Sequence, residues 1–260
     1  EVDAIIHLVR CFESDKITHV NSKINPVNDL ETIKTELILS DLDIIQKKLE
    51  KGKKKLLEEK EIKILEDKLK QLNDGKEVIA DNMDEEKFLS TLGLLSIKPK
   101  IIVCNVDEES LAKGNSFTES VKKNYSDEKV VTICADIEDQ IMGLDKNERE
   151  TFMKEIGLNK TGLNQLIKEG YELLNLDTFF TSGPEESRAW TVEKNTPAPK
   201  AASVIHTDFE NNFIRAETVT CEDFIKYGSA EKCKENGKLR IEGKDYIVKD
   251  GDVLYFRVNP

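Results

Sequence analysis

The sequence predicts an α/β fold: a short parallel sheet, interrupted by a long inserted pair of antiparallel helices and followed by a small strand-rich domain. Three observations carry this expectation. Short apolar runs, "AIIHLVRCF", "KIIVCN" and "KVVTICA", alternate with helical stretches, as strands of a parallel sheet do. Between the first two runs, Leu and Ile recur at three- and four-residue steps. After Leu176 the texture turns to β-branched and aromatic alternation broken by Gly and Asp turns.

Taken in order, Ala4–Phe12 reads as a strand apolar enough to be buried on both faces. The loop "ESDKITHVNSKINPVND" follows, with Pro26 and Asn28-Asp29 as turn and cap signals. Leu30, Ile33, Leu37, Leu42, Ile45 and Leu49 form one helical stripe, and Ile62, Leu65, Leu69 and Leu72 a second. Gly52 and a lysine cluster lie between them, so the two helices predict a coiled-coil arm with a basic tip. A shorter helix is expected over Glu85–Leu95, before Pro99. Strands follow at "KIIVCN" and at Lys129–Ala135, with a helical stretch between them, and residues 146–176 read as two helices. Beyond them, "RAWTVEKNTPAPKAASVIHTDF", "FIRAETVT" and "KLRIEGKDYIVKDGDVLYFRVN" read as strands, interrupted by a helix at Cys221–Tyr227. The turn Lys249-Asp250-Gly251-Asp252 gives a hairpin-like signal.

A net charge of −12 argues against broad binding to nucleic acid or anionic membrane, which needs a net basic surface; a local basic patch can still act. Five scattered cysteines without a C-x-x-C pair predict reduced thiols, no disulfide framework and no metal site. No apolar run reaches the roughly 18 residues of a membrane span. A soluble, cytoplasmic protein is expected. The chain opens on Glu1 and runs at once into a strand, which reads as a start inside a fold.

The chemistry-bearing stretch is "CNVDE", Cys104 to Glu108, at a strand's carboxyl end, where open parallel sheets bind ligands. In many GTP-binding proteins such a strand ends in Asn-Lys-x-Asp, whose Asp accepts hydrogen bonds from guanine. Here the fourth position is Glu108, one methylene longer, and the bidentate geometry is lost without backbone movement. Adenine, with an amino donor and ring acceptors, suits an amide side chain and main-chain groups better. The next strand ends in "TICADIE", placing the small Ala135 where it would back a base. No G-x-x-x-x-G-K-[ST] occurs, so the phosphate cradle is missing from these residues. Of the histidines, His7 reads as a packed core residue and His206 as a structural hydrogen-bonding one. His19 lies in a loop from which a side chain could reach a terminal phosphate, although position alone favours an inert residue.

These residues together resemble the YchF (Obg-like) ATPases, ribosome-associated P-loop NTPases of the translation-factor class. The likeness spans the chain and is most specific in "DAIIHLVRCFESDKITHVNSKINPVNDLETIKTELILSDLDIIQKKL", "NVDE", "AWTVEKNTPAPKAASVIHTDFENNFIRAE" and "GKDYIVKDGDVLYFRVN". It implies a partial P-loop NTPase sheet at 1–28 and 98–155, a coiled-coil arm at 29–97, a helical connector at 156–176, and a C-terminal TGS domain of β-grasp type at 177–260. It implies adenine reading by Asn105 and Glu108 with the main chain of Val106, and a water-orienting or transition-state-stabilising role for His19. ATP and Mg2+ would serve the parent protein. The family's P-loop and switch regions have no counterpart here, so the 260 residues alone are expected to bind neither and not to hydrolyse ATP. The implied partner is the ribosome, reached through the tip lysines Lys51, Lys53, Lys54 and Lys55 and through strand faces near Arg188, Trp190 and Arg215. A purely non-catalytic ribosome- or RNA-binding module is the competing reading. A monomer is expected, with a dimerising coiled coil as the weaker alternative.

Overall fold

The computed structural model describes residues 2–14, 23–52, 57–183 and 185–259. They fall into two compact units, Glu1–Gly170 and Tyr171–Pro260. In the first, strands β1 (Ile5–Arg10), β2 (Lys100–Asn105) and β3 (Lys129–Ile133) form a parallel sheet in that order. Helices α1 (Pro26–Gly52), α2 (Glu59–Asn73) and α3 (Met83–Ser90) are inserted between β1 and β2. Helices α4 (Glu108–Leu111) and α5 (Ser116–Asn124) join β2 to β3. After β3 come α6 (Ala135–Gly143), α7 (Lys146–Glu155) and α8 (Gly162–Leu173).

Parallel strands alternate their side chains between two faces, and here the faces differ. Val9, Ile102 and Cys104 pack with Leu30 of α1, Val121 of α5 and Ile137 of α6 into one core. On the other face Ile101 and Val103 are buried, but Ile6 and Leu8, opposite them in register, are 55% and 61% exposed. The expected two-sided burial of the first strand is therefore wrong. β1 is an edge strand, and among the described residues no layer covers its outer face.

The inserted helices have their own core. Ile38, Ile45 and Leu49 of α1 meet Leu65 and Leu72 of α2 and Leu89 of α3, and each such burial contributes about 1.5–3 kcal/mol. The buried carboxylate of Asp41 accepts hydrogen bonds from Leu95 N and Ser96 N, both at 2.7 Å, pinning the chain that leads into β2 onto α1. The third helix is shorter and earlier than expected. Asn82 caps it by accepting from Glu85 N at 3.0 Å, and Gly93, at φ +70°, cannot continue it.

In the second unit β4 (Leu176–Ser182) and β5 (Ser187–Glu193) precede α9 (Ala198–Ile205) and α10 (Asp208–Asn211). Then come β6 (Phe213–Thr220), α11 (Cys221–Tyr227), α12 (Ala230–Glu235), β7 (Arg240–Glu242) and β8 (Asp252–Val258). The mixed sheet has the order β5-β4-β8-β6-β7, with β4 and β8 parallel and the other pairs antiparallel. Phe179, fully buried, meets Phe256 edge to face at 5.9 Å. The stretch "APKAASVI" was expected to be extended and is helix α9. Ala198, Ala201 and Ala202 recur at helical spacing behind Pro197, and their small side chains let the helix lie close on the sheet. The turn at 249–252 makes no hairpin either, because β7 and β8 are not neighbours. Instead Gly251 N donates to Thr178 O and Gly251 O accepts from Cys221 N, both at 2.8 Å, tying the turn to β4 and to the end of β6.

Candidate functional site

The carboxyl ends of the three parallel strands are stitched together by main-chain bonds. Cys11 N donates to Asn105 O at 2.7 Å, and Val106 N donates to Ile133 O at 2.8 Å. The Asn105 side chain completes the link, its Oδ1 accepting from Ala135 N at 3.0 Å. That bond fixes the orientation of the amide and leaves Nδ2 as the group available to a ligand. Asp107 is spent on capping α4, its Oδ1 accepting from Ser110 N at 2.9 Å. Glu108 stands exposed in the first turn of that helix, and its charge is felt at Cys134, at the start of α6. The fold thus brings Asn105, Val106, Glu108 and Ala135 to one place, with the Val106 N–H already committed to Ile133.

Two supporting residues escaped the sequence reading. Asn115 Nδ2 donates to Cys11 O at 2.7 Å and to Ser110 Oγ at 3.2 Å, while its Oδ1 caps α5. The capping signal, Asn followed three residues later by Thr118, was visible in sequence; the bond to Cys11 was not. Arg10 Nε donates to Phe12 O at 3.0 Å and its NH2 group to Ser14 O at 3.2 Å, shaping the chain just beyond β1. Beneath the loops the Cys11 thiol, hydrogen-bonded to Cys104 and buried, is held well above its ordinary pKa. The imidazole of His7 is driven down by burial and by Lys100, so His7 is neutral at pH 7, and its Nε2 is buried without a hydrogen-bond partner.

His19, Lys53, Lys54 and Lys55 lie outside the described residues. Lys51 is exposed in the last turn of α1. In the second unit the Arg188 guanidinium stacks over the Trp190 ring at 4.2 Å, and Trp190 Nε1 donates to Thr181 Oγ1 at 2.9 Å. Arg215 binds Glu217 at 3.3 Å, and Glu217 also binds Arg257 at 2.9 Å. Hydrogen bonding to Arg257 and then Arg215 holds the Glu217 carboxyl below its usual pKa range despite burial. Among the described residues no group of His, Cys, Asp or Glu is arranged to hold a metal, and no helix is long and apolar enough to cross a membrane. At the strand ends Asn105 keeps Nδ2 as a side-chain donor beside the Val106 carbonyl, and these residues contain no P-loop sequence.

A parallel sheet whose loops meet beyond its strand ends, followed by a unit with a mixed sheet, defines a mixed α/β protein. A family model described as YchF-GTPase_C, "Protein of unknown function (DUF933)", matches residues 176–259. The whole chain aligns with 74% of the "Ribosome-binding ATPase YchF" of Escherichia coli O157:H7, at 47% identity over 270 residues. The protein of the same name in Bacillus subtilis (strain 168) is 41% identical over 270 residues, with the same coverage. A solved structure described as that of the Schizosaccharomyces pombe YchF GTPase superposes with a TM-score of 0.80 at 30% identity, covering 98% of this chain and 72% of that one. The chain belongs to the YchF family.

Proposed function

We propose that the loops at Asn105–Glu108 and Ala135 are the adenine-reading half of an ATP site, in a ribosome-associated ATPase that hydrolyses ATP slowly as a switch in translation or stress. The observation that carries this is the Asn105 amide, anchored through Oδ1 to Ala135 N and presenting Nδ2 to a ligand. Adenine and guanine both offer an N7 acceptor to such a donor, and they differ at the neighbouring position, an amino donor in adenine and a carbonyl acceptor in guanine. The Val106 N–H is bound to Ile133, so Val106 has its carbonyl to offer. A carbonyl accepts from adenine's amino group and opposes guanine's oxygen. Glu108 shapes the pocket and, one methylene longer than the acid that binds guanine, does not keep that acid's bidentate geometry.

In this reading 1–28 and 98–155 belong to the nucleotide domain, 29–97 is a coiled-coil arm, 156–176 a connector, and 177–260 a TGS domain of β-grasp type. The names of the relatives support both the ATPase and the ribosome reading. The phosphates and Mg2+ require a P-loop, so a polypeptide of these 260 residues by itself does not turn ATP over. His19 orients water or stabilises the transition state. The protein acts in the cytoplasm as a monomer.

Titration of the intact protein with ATP and GTP in the presence of magnesium tests the base assignment. ATP is expected to bind at least about tenfold tighter; equal or tighter GTP binding would sink the assignment. In the same preparation His19→Ala should lower turnover and leave ATP affinity nearly unchanged, and unchanged turnover removes His19 from the mechanism.

Docking on the ribosome is assigned to the lysine tip Lys51, Lys53, Lys54 and Lys55, with Arg188, Trp190 and Arg215 as the second contact. Arg215 contributes less net charge than Arg188, being paired with Glu217. The chain is expected to co-sediment with ribosomes and to lose this when the tip lysines are replaced by Ala. Undiminished co-sedimentation of that variant moves the contact elsewhere.

A further inference from the structure

A cavity of about 290 Å³ opens beside β3, between the α4–α5 loop, α5 and the approach to α8. The nearby Glu138 carboxylate is outside its lining and accepts from the Gly162 N–H at 2.6 Å. The ionisable lining is Lys113, Lys122 and Lys160, joined by the neutral side chains of Thr132 and Gln165. This stands out in a chain where 51 acidic residues outnumber 39 lysines and arginines. The three lysines come from separate segments: Lys113 follows α4, Lys122 lies on α5, and Lys160 precedes α8. Only the fold brings them to one concave wall.

Nearby lysines on the same sheet have found counter-charges. Lys129 pairs with Glu169 at 2.8 Å, and Lys100 pairs with Glu77. Lys113, Lys122 and Lys160 have no ion pair among the described residues. Like charges gathered around one cleft reinforce one another's field, and because these three lysines are exposed that field is strongest at low salt.

We propose that this cleft binds a compact polyphosphate group, the class that includes inorganic pyrophosphate and the phosphate end of a nucleoside polyphosphate. Ammonium groups serve phosphate as point charges without a fixed fork, so three of them on separate elements can close around a small, highly charged anion. The Thr132 hydroxyl and the Gln165 amide supply neutral donors to its remaining oxygens. A nucleic-acid strand would need a continuous basic track, whereas here the positive charge is confined to one concavity. The site is distinct from the base loop, since its lining includes none of Asn105, Glu108 and Ala135, although β3 and α4 run from one to the other.

Isothermal titration of the chain with sodium pyrophosphate, without magnesium, is expected to show saturable one-to-one binding that weakens as salt is raised. The double variant Lys122→Gln/Lys160→Gln should weaken it at least about tenfold. Lys123→Gln, next on α5 and outside the lining, should stay within about twofold of the parent. Asn105→Ala should leave it unchanged, which separates this cleft from the base loop. Circular dichroism and the melting midpoint check that each variant is folded. Absence of saturable binding overturns the proposal, as does an equal loss in Lys123→Gln or a loss in Asn105→Ala. A single-stranded RNA oligonucleotide that binds these lysines where pyrophosphate does not would make the cleft a nucleic-acid contact and end the small-ligand assignment.

Discussion

Replacing Asn105 by Ala is expected to raise the dissociation constant of the intact protein for ATP about 30- to 100-fold, while lowering stability by only about 1 kcal/mol. The two effects separate because the side chain does two things. Its Oδ1 holds Ala135 N at 3.0 Å, and Ala135 is exposed, so water replaces that bond when the side chain is removed. Its Nδ2 is the donor assigned to the base, and truncation removes both this donor and the clamp that positions the two loops. Asn105→Asp sharpens the test. A carboxylate keeps an acceptor for Ala135 N but puts a second acceptor where the donor stood, so ATP affinity should fall as far as in Asn105→Ala with stability preserved. ATP titration and urea denaturation on the three proteins decide the matter. An ATP affinity unchanged in Asn105→Ala would remove the loop from nucleotide recognition.

The parts of this site that were legible in the sequence are those encoded locally. Ile101–Cys104 is an apolar run ending at a polar loop, and it is the central strand with its loop at the carboxyl end. The stripe from Leu30 to Leu49 gives a helix because periodicity at three and four residues is a property of the helix itself. Burial is different, since it depends on what other segments supply. Ile6 and Leu8 read like Ile101 and Val103, and their exposure follows from β1's place at the sheet edge. The alanines of α9 were hidden among β-branched neighbours and two prolines, and packing on the sheet decides them. The bond from Asn115 to Cys11 crosses 104 residues of sequence, and the lysine cleft draws on three segments. No local pattern encodes such convergence.

Lys68→Ala is expected to destabilise the first unit by about 3–5 kcal/mol, because it strands a buried carboxylate. The Lys68 side chain is 0% exposed and lies 3.1 Å from Asp81, 3.2 Å from Asp67 and 3.2 Å from Glu85. Asp67 and Asp81 are well exposed and regain water when the ammonium is lost. Glu85, whose side chain is 6% exposed, does not, and most of the cost falls there. Glu85 also accepts from Asp81 N at 2.6 Å, so disturbing it loosens the entry to α3. Burial by itself would lower the pKa of Lys68, but the bonds to Asp81, Asp67 and Glu85 outweigh it and raise the value above the ordinary 10.5. A raised folded-state pKa means the stabilisation is fully present below the unfolded value and is lost only as pH climbs through the folded one. The difference between parent and Lys68→Met should therefore be flat through neutral pH and shrink only in strong alkali. Urea denaturation followed by the helical signal at pH 7 and again in strong alkali tests both the size of the loss and its pH dependence. A loss below about 1 kcal/mol at pH 7 would place Lys68 among surface pairs, which contribute that little, and a difference that already shrinks within the neutral range would show that the ammonium and its carboxylates are not where the cost arises.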